Sequence, residues 1–467
     1  MSSEFLEALR QTLGPDAVLT EASDRAGYER GWRYGAGQAL AIARPRSTDE
    51  VSATLRLARE HGIPVQPIGA NTGLVGASNP DSTGTQLVLS LERLTSTLEI
   101  DPINRTARVS AGATLSGLNS ALAEHGLFFP VDLGADPQIG GMVATNTGGT
   151  RLVRYGDVRR HVLGLEVVLG DGSVWRKMNG LRKDNTGLDW KQLFIGTSGS
   201  FGIVTKALLN VQPKPRQIGA VLAACESGEA VLHLLQHVEM YAGEFLSAFE
   251  VLSGAALQAT LRHGVDLRDP FPGESPAYAV LVELSTTLGA EHLDLPEFLI
   301  EMLAPLTEGD HGLLDIVVEN AQHFWHLRHQ VSESLAHEGK VLAFDISVPR
   351  SKLSQFTQAV AQQVTAKVPG ARICDFGHWG DGGTHLNIVL PKDTSITAGD
   401  ATWRELQSLV YGTCVRDFQG SYSAEHGVGP HNQPFYQEFT PQPVRTLCGV
   451  LRGHLDPGRL LGTVQLD

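Results

Sequence analysis

The sequence predicts an α+β chain of more than one domain. Three observations carry this. Its 467 residues exceed what one ordinary hydrophobic core organises. Glycine-rich loops follow short apolar runs through the first 213 residues, and beyond Pro213-Lys-Pro215 strand-like runs alternate with helical ones. With 42% hydrophobic residues, 51 glycines and 19% charged residues, the composition is that of a globular, loop-rich protein. A formal net charge of −14 argues against a nucleic-acid partner or an anionic membrane surface. Cys225, Cys374, Cys414 and Cys448 are scattered without a CxxC, which suits reduced thiols and a cytoplasmic setting. The acidic start, Met-Ser-Ser-Glu-Phe-Leu-Glu, lacks the apolar stretch of a signal peptide, and no uncharged apolar run approaches membrane-spanning length.

In chain order, residues 4–12 read as a short amphipathic helix ended near Gly14-Pro15. Residues 49–60 form a clearer one, with Thr48 as cap, Val51, Leu55 and Ala58 as stripe and Gly62 as stop. The run 63–68 reads as a strand entering Gly69-Ala-Asn-Thr-Gly-Leu-Val-Gly-Ala-Ser78, whose small residues let backbone amides approach an anion. No Gly-Lys-[Ser/Thr] follows, so it is not a P-loop, and no G-x-G-x-x-G occurs. Short strands at 87–91, 98–100 and 107–110 precede a helix over 115–125. Ile139-Gly-Gly-Met-Val-Ala-Thr-Asn-Thr-Gly-Gly149 is a second glycine-rich stretch, 163–175 a hairpin on Gly-Asp-Gly, and 196–205 a third glycine-rich segment. Further on, 278–284, 341–348 and 386–390 read as strands, and 231–241, 322–337 and 352–366 as helices. In 322–337, Leu327, Val331 and Leu335 make the buried stripe, and Arg328 and Ser332, four apart, share a face. His323, His326 and His329 drift round that helix and read as surface or core residues.

The stretch Phe376-Gly-His-Trp-Gly-Asp-Gly-Gly-Thr-His-Leu-Asn387 carries the chemistry. Asp381-Gly382 predicts a two-residue type I′ turn, which sets Trp379 opposite Thr384 and His378 opposite His385. Opposed residues point to one face with Cα atoms about 4.5–5.5 Å apart, so the two imidazoles can share a metal ion. Asn387 shares that face; Glu425 offers an anionic third ligand, and Gly427 and Gly429 let Glu425 and His426 both turn to one site.

Segments 69–78, 140–149, Tyr155-Gly-Asp with Leu165-Glu-Val-Val, Leu181-Arg-Lys-Asp-Asn-Thr-Gly187 and 196–205 together resemble the FAD-binding domain of the vanillyl-alcohol-oxidase type. With 378–387 and Ser423-Ala-Glu-His-Gly-Val-Gly429 following in register, the chain is similar to the D-lactate and D-2-hydroxyglutarate dehydrogenase branch from about residue 41 to the end, most thinly over 215–320. The resemblance implies a two-subdomain FAD-binding domain over 1–213, an antiparallel-sheet substrate cap with helices on one face over 214–424, and a segment 425–467 packing back on the first domain. It implies FAD contacts from Pro67, Gly69, Ala70, Asn71, Thr72, Gly73, Gly76 and Ser78, from Gly140, Gly141, Ala144, Thr145, Asn146 and Gly149, and from Gly202, Ile203 and Val204. Members that attach FAD covalently often use His or Cys; none occurs in 67–80 or 139–150, so the flavin is expected to be non-covalent.

The same resemblance places a divalent metal, zinc ahead of manganese or iron, on His378, His385 and Glu425. It makes His426 the catalytic base, with Arg328, Ser332, Asn387 and His426 as substrate contacts. The implied reaction is oxidation of a D-2-hydroxy acid to the 2-oxo acid, with electrons leaving to an unidentified acceptor: an electron-transfer flavoprotein, a quinone or a cytochrome. A homodimer stays open, as do an oxidase reacting with oxygen and a non-catalytic metal- or flavin-binding protein. Ala343 stands where the 2-hydroxyglutarate enzymes carry a lysine, which shifts the expected substrate toward a monoacid; Asn432 and Asp456-Pro-Gly-Arg459 depart in lesser ways.

Overall fold

The computed structural model describes residues 2–467. Two compact units emerge: one runs to Gly148, resumes over 156–214 and returns at 425–467, and the other holds 149–155 and 215–424. Among the described residues no helix is long and apolar enough to cross a membrane.

In the first unit the helix Ser2–Leu13 buries Phe5 and Leu9 completely. The next strong helix is Thr48–Glu60, capped by Ser47 rather than Thr48: the Ser47 hydroxyl accepts from the Glu50 amide, while Thr48 is buried and donates to Glu166 at 2.5 Å. Its stripe of Val51, Leu55 and Ala58 packs on a parallel ladder of Ala39–Ala43, Gln86–Ser90 and Val65–Ile68. An antiparallel sheet follows, ordered Leu98–Asp101, Thr106–Ser110, Ile203–Asn210, Val162–Val168 and Val174–Lys177. The returning C-terminal segment lies along the parallel ladder. Val65 N–H donates to Leu460 O at 2.7 Å, and Gly462 N–H donates to Val65 O at 2.9 Å.

The glycine-rich run from 139 is a helix over Ile139–Thr145, not a loop. Gly140 makes this fit, because a Cβ there would lie 2.6 Å from the Ala111 Cβ. Asn146, left-handed at φ 54°, ends it.

The second unit is a seven-stranded antiparallel sheet in the order Leu313–Val318, Gln217–Cys225, Tyr278–Thr286, Leu246–Ser253, Arg372–Gly377, Gly383–Leu390 and Lys340–Ser347. Its central strands are buried on both faces, so helices cover it on two sides where one was expected. Gly219 backs onto Leu295 and Leu299 of the helix Leu295–Thr307, whereas Leu222, of opposite parity, joins Leu327, Val331 and Leu335. The cause is composition: the strand Leu-Ser-Ala-Phe-Glu-Val-Leu-Ser is apolar on both parities.

The single helix expected over 322–337 is two, Ala321–His329 and Val331–Glu338, parted at Gln330. Residues 149–155 belong to this unit through two arginines. Arg154 donates to Phe245 O at 3.0 Å, to Ser285 Oγ at 2.8 Å and to Ser285 O, while Arg151 lies 3.7 Å from the buried Glu283.

Candidate active site

Ladder register gathers one face of the second unit's sheet. His385 pairs with Phe376 on one side and Asp345 on the other; Asn387 pairs with Cys374 and Ala343; Leu252 pairs with Phe376. Opposed residues share a face, so Ala343, Asp345, His385 and Asn387 stand together, with Glu250 two residues before Leu252 on the same side.

His378 leaves the ladder. The strands end at Gly377 and begin again at Gly383, and the turn is five residues rather than two. His378 O accepts from Asp381 N–H at 3.0 Å and Gly383 N–H at 3.1 Å, and only Gly382, at φ 96°, takes a positive φ in the turn. Core burial overrides the local turn preference. Trp379 is fully buried 5.4 Å from the Tyr278 ring, and a Cβ on Gly380 would meet Phe249 at 2.8 Å, so the turn folds onto the neighbouring strand.

The two imidazoles meet nonetheless, with His378 Nε2 3.1 Å from His385 Nε2. Nitrogens each about 2.0–2.1 Å from a tetrahedral zinc ion sit about 3.3 Å apart. The separation of the pair is therefore within a few tenths of an ångström of that of two imidazoles on one ion. Behind them Glu250, 1% exposed, divides its oxygens: Oε1 accepts from His378 Nδ1 at 2.6 Å and Oε2 from Arg328 Nε at 2.6 Å. Burial would push the Glu250 carboxyl up, but His378 and Arg328, each hydrogen-bonded to one of its oxygens, hold it down at about 2. The Arg328 guanidinium also lies 4.6 Å over the Phe376 ring. Asn387, 5% exposed, donates Nδ2 to Cys374 O at 3.2 Å and His385 O at 3.0 Å, so its oxygen is what it can offer a ligand. Ser332 does not match Arg328: it lies beyond the break at Gln330 and is exposed, whereas Arg328 is buried.

In the first unit the loop 69–78 is held by Ser78 Oγ donating to Asn71 Oδ1 at 2.8 Å, with Asn71 at φ 57° and Gly76 at φ 73°. Among the described residues, no amide N–H from Gly69 to Ser78 donates to a protein acceptor. A Cβ on Gly73 or Gly141 would meet open space, and Gly69 faces Gln138 Oε1, a buried oxygen without a hydrogen-bond partner among the described residues. Unspent donors, open glycines and an orphaned oxygen fit a diphosphate-bearing cofactor. Pro67 is in the ladder opposite Leu89, and Ala70 and Thr72 stand in the loop.

Other residues expected at the flavin also bond within the fold. Thr145 Oγ1 donates to Gly141 O at 3.0 Å, Ala144 O accepts from Ser198 N–H at 2.8 Å, and Asn146 Nδ2 donates to Asp157 Oδ2 at 2.7 Å. Gly202 backs onto Val167, and Ile203 and Val204 are buried, leaving only their main chain to a ligand. Gly149 falls in the second unit.

Glu425 and His426 open the returning segment, one residue after Ala424, whose amide donates to Asp345 O at 3.2 Å. Within the first unit their side chains approach to 3.9 Å. Gly427 at φ 77° turns the chain, and Asn432 clamps the turn, accepting from Gly429 N–H and donating to Gly427 O, each at 2.9 Å. Gly429 lets it pass the 69–78 loop, since a Cβ there would lie 2.5 Å from Val75 O.

Glu250 and Asp345 were not among the expected site residues. A lone carboxylate inside an apolar strand was the available signal for Glu250, because such a charge needs a partner. For Asp345 the signal was its parity with Ala343.

The FAD binding domain family matches residues 39–177, and the C-terminal domain family of FAD linked oxidases matches residues 214–464. D-2-hydroxyglutarate dehydrogenase, mitochondrial, of Danio rerio is 35% identical over 428 residues, covering 91% of this chain and 78% of that protein. D-2-hydroxyglutarate–pyruvate transhydrogenase of Saccharomyces cerevisiae is 32% identical over 99% of this chain and 94% of its own. D-2-hydroxyglutarate dehydrogenase of Xanthomonas citri pv. viticola is 32% identical over 100% and 97% respectively. Among solved structures, p-cresol methylhydroxylase with substrate bound shares the fold at a TM-score of 0.72 and 18% identity, over 100% of this chain and 96% of that one. Alkyldihydroxyacetonephosphate synthase does so at a TM-score of 0.73 and 16% identity, over 98% and 85%.

Proposed function

We propose, for a chain that belongs to the FAD-linked oxidases of the vanillyl-alcohol-oxidase type, that it oxidises a D-2-hydroxy acid to the 2-oxo acid. The observation that carries this reading is the 3.1 Å convergence of His378 and His385 beside an arginine fixed by Glu250. Together they offer a 2-hydroxy acid a metal for its hydroxyl and a cation for its carboxylate. The relatives' names supply the substrate class.

The unspent amides of 69–78 would hold FAD without a covalent bond, and the flavin would supply the hydride-accepting chemistry. His378, His385 and Glu425 would hold a divalent metal, zinc ahead of manganese or iron, which would supply Lewis acidity toward the hydroxyl. The chain's own residues do the rest. His426 takes the hydroxyl proton, the Asn387 oxygen orients the hydroxyl, and Arg328 holds the carboxylate. Ser332 adds at most a peripheral contact. In this reading residues 1–213 and 425–467 serve the flavin, 214–424 serve substrate and metal, and Glu425 and His426 at the start of the returning segment add a metal ligand and the base.

The test is anaerobic. The purified protein is expected to be yellow, to release its flavin on acid precipitation, and to bleach with D- but not L-2-hydroxy acids. Slow recolouring in air favours a dehydrogenase serving a protein or quinone acceptor, and fast recolouring an oxidase. A flavin that no hydroxy acid bleaches would overturn the activity.

A further inference from the structure

The structure assigns Glu250 as the positioning residue that couples the metal site to the substrate-carboxylate site, and we infer that metal affinity and substrate affinity both pass through its one carboxylate. The inference rests on the roles proposed above for His378 and Arg328. Glu250 is the sole ionisable residue in the strand Leu246–Ser253, every residue of which is buried. A carboxylate in that position is costly unless both its oxygens are engaged. They are engaged by different elements: Oε1 by His378 in the turn after Arg372–Gly377, and Oε2 by Arg328 on the helix Ala321–His329, each at 2.6 Å.

Two consequences follow from which atoms are used. On His378 the bonded nitrogen is Nδ1, so the proton sits there and Nε2, the nitrogen facing His385, keeps its lone pair for a metal. On Arg328 the bonded nitrogen is Nε, which leaves the two terminal nitrogens as the fork for a substrate carboxylate, in a plane fixed against Phe376. No single neutral side chain here holds both partners this way. A glutamine at 250 has one acceptor oxygen for two donors, so its amide must face either His378 Nδ1 or Arg328 Nε. In the first case His378 adopts the other tautomer and its metal lone pair is lost. In the second the guanidinium is pushed out of plane.

The experiment uses the full holoprotein, stripped of metal and titrated with zinc against a chromophoric chelator in the absence of substrate. KM and kcat for D-lactate and D-2-hydroxyglutarate are then measured on the zinc-loaded forms. Glu250→Gln is expected to keep its FAD, to weaken zinc by about 10–100-fold, and to raise KM more than it lowers kcat. Arg328→Met should raise KM while leaving zinc affinity within a few-fold of wild type, because Glu250 keeps His378. Glu250→Asp retains the charge but is one methylene shorter and cannot reach both partners, so at least one of the two readouts moves; it decides the matter if the glutamine variant does not fold. Wild-type zinc affinity together with wild-type KM in a folded Glu250 variant overturns the inference and leaves the proposed function standing. A wild-type protein that turns over hydroxy acids yet binds no divalent metal overturns the inference and the metal's part in the proposed mechanism, and leaves the activity standing.

Discussion

Ala343 lies opposite Asn387 and two residues from Asp345, on the face that carries His385. Its side chain offers no charge there, and the nearest acidic neighbour in the strand, Asp345, is 8% exposed. A substrate with a second carboxylate needs a cation for it, since a buried carboxylate left unpaired costs several kcal/mol. The expectation is therefore that kcat/KM for D-lactate and D-2-hydroxybutyrate exceeds that for D-2-hydroxyglutarate. Ala343→Lys should move the ratio toward the diacid by about 10–100-fold, the worth of one hydrogen bond to a charged group. The relatives are named for the diacid, so the panel separates their substrate from the one this side chain favours. A wild type that already prefers D-2-hydroxyglutarate, or a lysine variant that shifts nothing, sinks the monoacid reading and spares the reaction class.

The strand Arg372–Gly377 presents Phe376 and Cys374 to the site and Asp375 to the opposite face. Asp375 is 3% exposed, and its Oδ2 has no hydrogen-bond partner among the described residues. Burial pushes its carboxyl up to about 6, a shift that its own amide and Ser253 only partly oppose. A carboxyl raised above its unfolded value of about 3.9 favours the fold while protonated, and that contribution is lost as pH rises from about 4 through 6. The loss amounts to about 3 kcal/mol at about 1.36 kcal/mol per unit. Asp375→Asn cannot ionise, so its denaturation midpoint should gain on wild type as pH goes from 4 to 7. A difference between the two proteins that does not change with pH would remove Asp375 as the cause. The same strand shows why turn chemistry misled: Asp-Gly favours a two-residue hairpin, but burying Trp379 outweighs that preference and moves His378 out of the ladder.

At the scale of the whole molecule, the chain leaves the first unit at 215 and returns at 425, so the first unit's core is finished by its last residues. Leu461, 1% exposed, sits among Val65, Leu87 and Val168 and runs beside Val65. Leu461→Ala should destabilise this unit by about 2–5 kcal/mol, read as a lower midpoint for flavin release on heating or in urea; an unchanged midpoint would mean that the returning segment is no part of the unit's cooperative core. The sequence by itself determined what neighbouring residues decide. It marked the amphipathic helices, the strand runs, the unspent amides of 69–78, the histidine pair and the family. Periodicity and turn chemistry act over a few residues, and each of those features is local, save the family, which rests on several such motifs in register along the chain. Tertiary structure alone decided the helix over Ile139–Thr145, the break at Gln330, the transfer of 149–155 to the second unit, and the pairing of Glu250. Glu250 meets partners 78 and 128 residues away. No local pattern encodes such a meeting: it exists only once the sheet has set its strands in order and burial has made an unpaired charge intolerable.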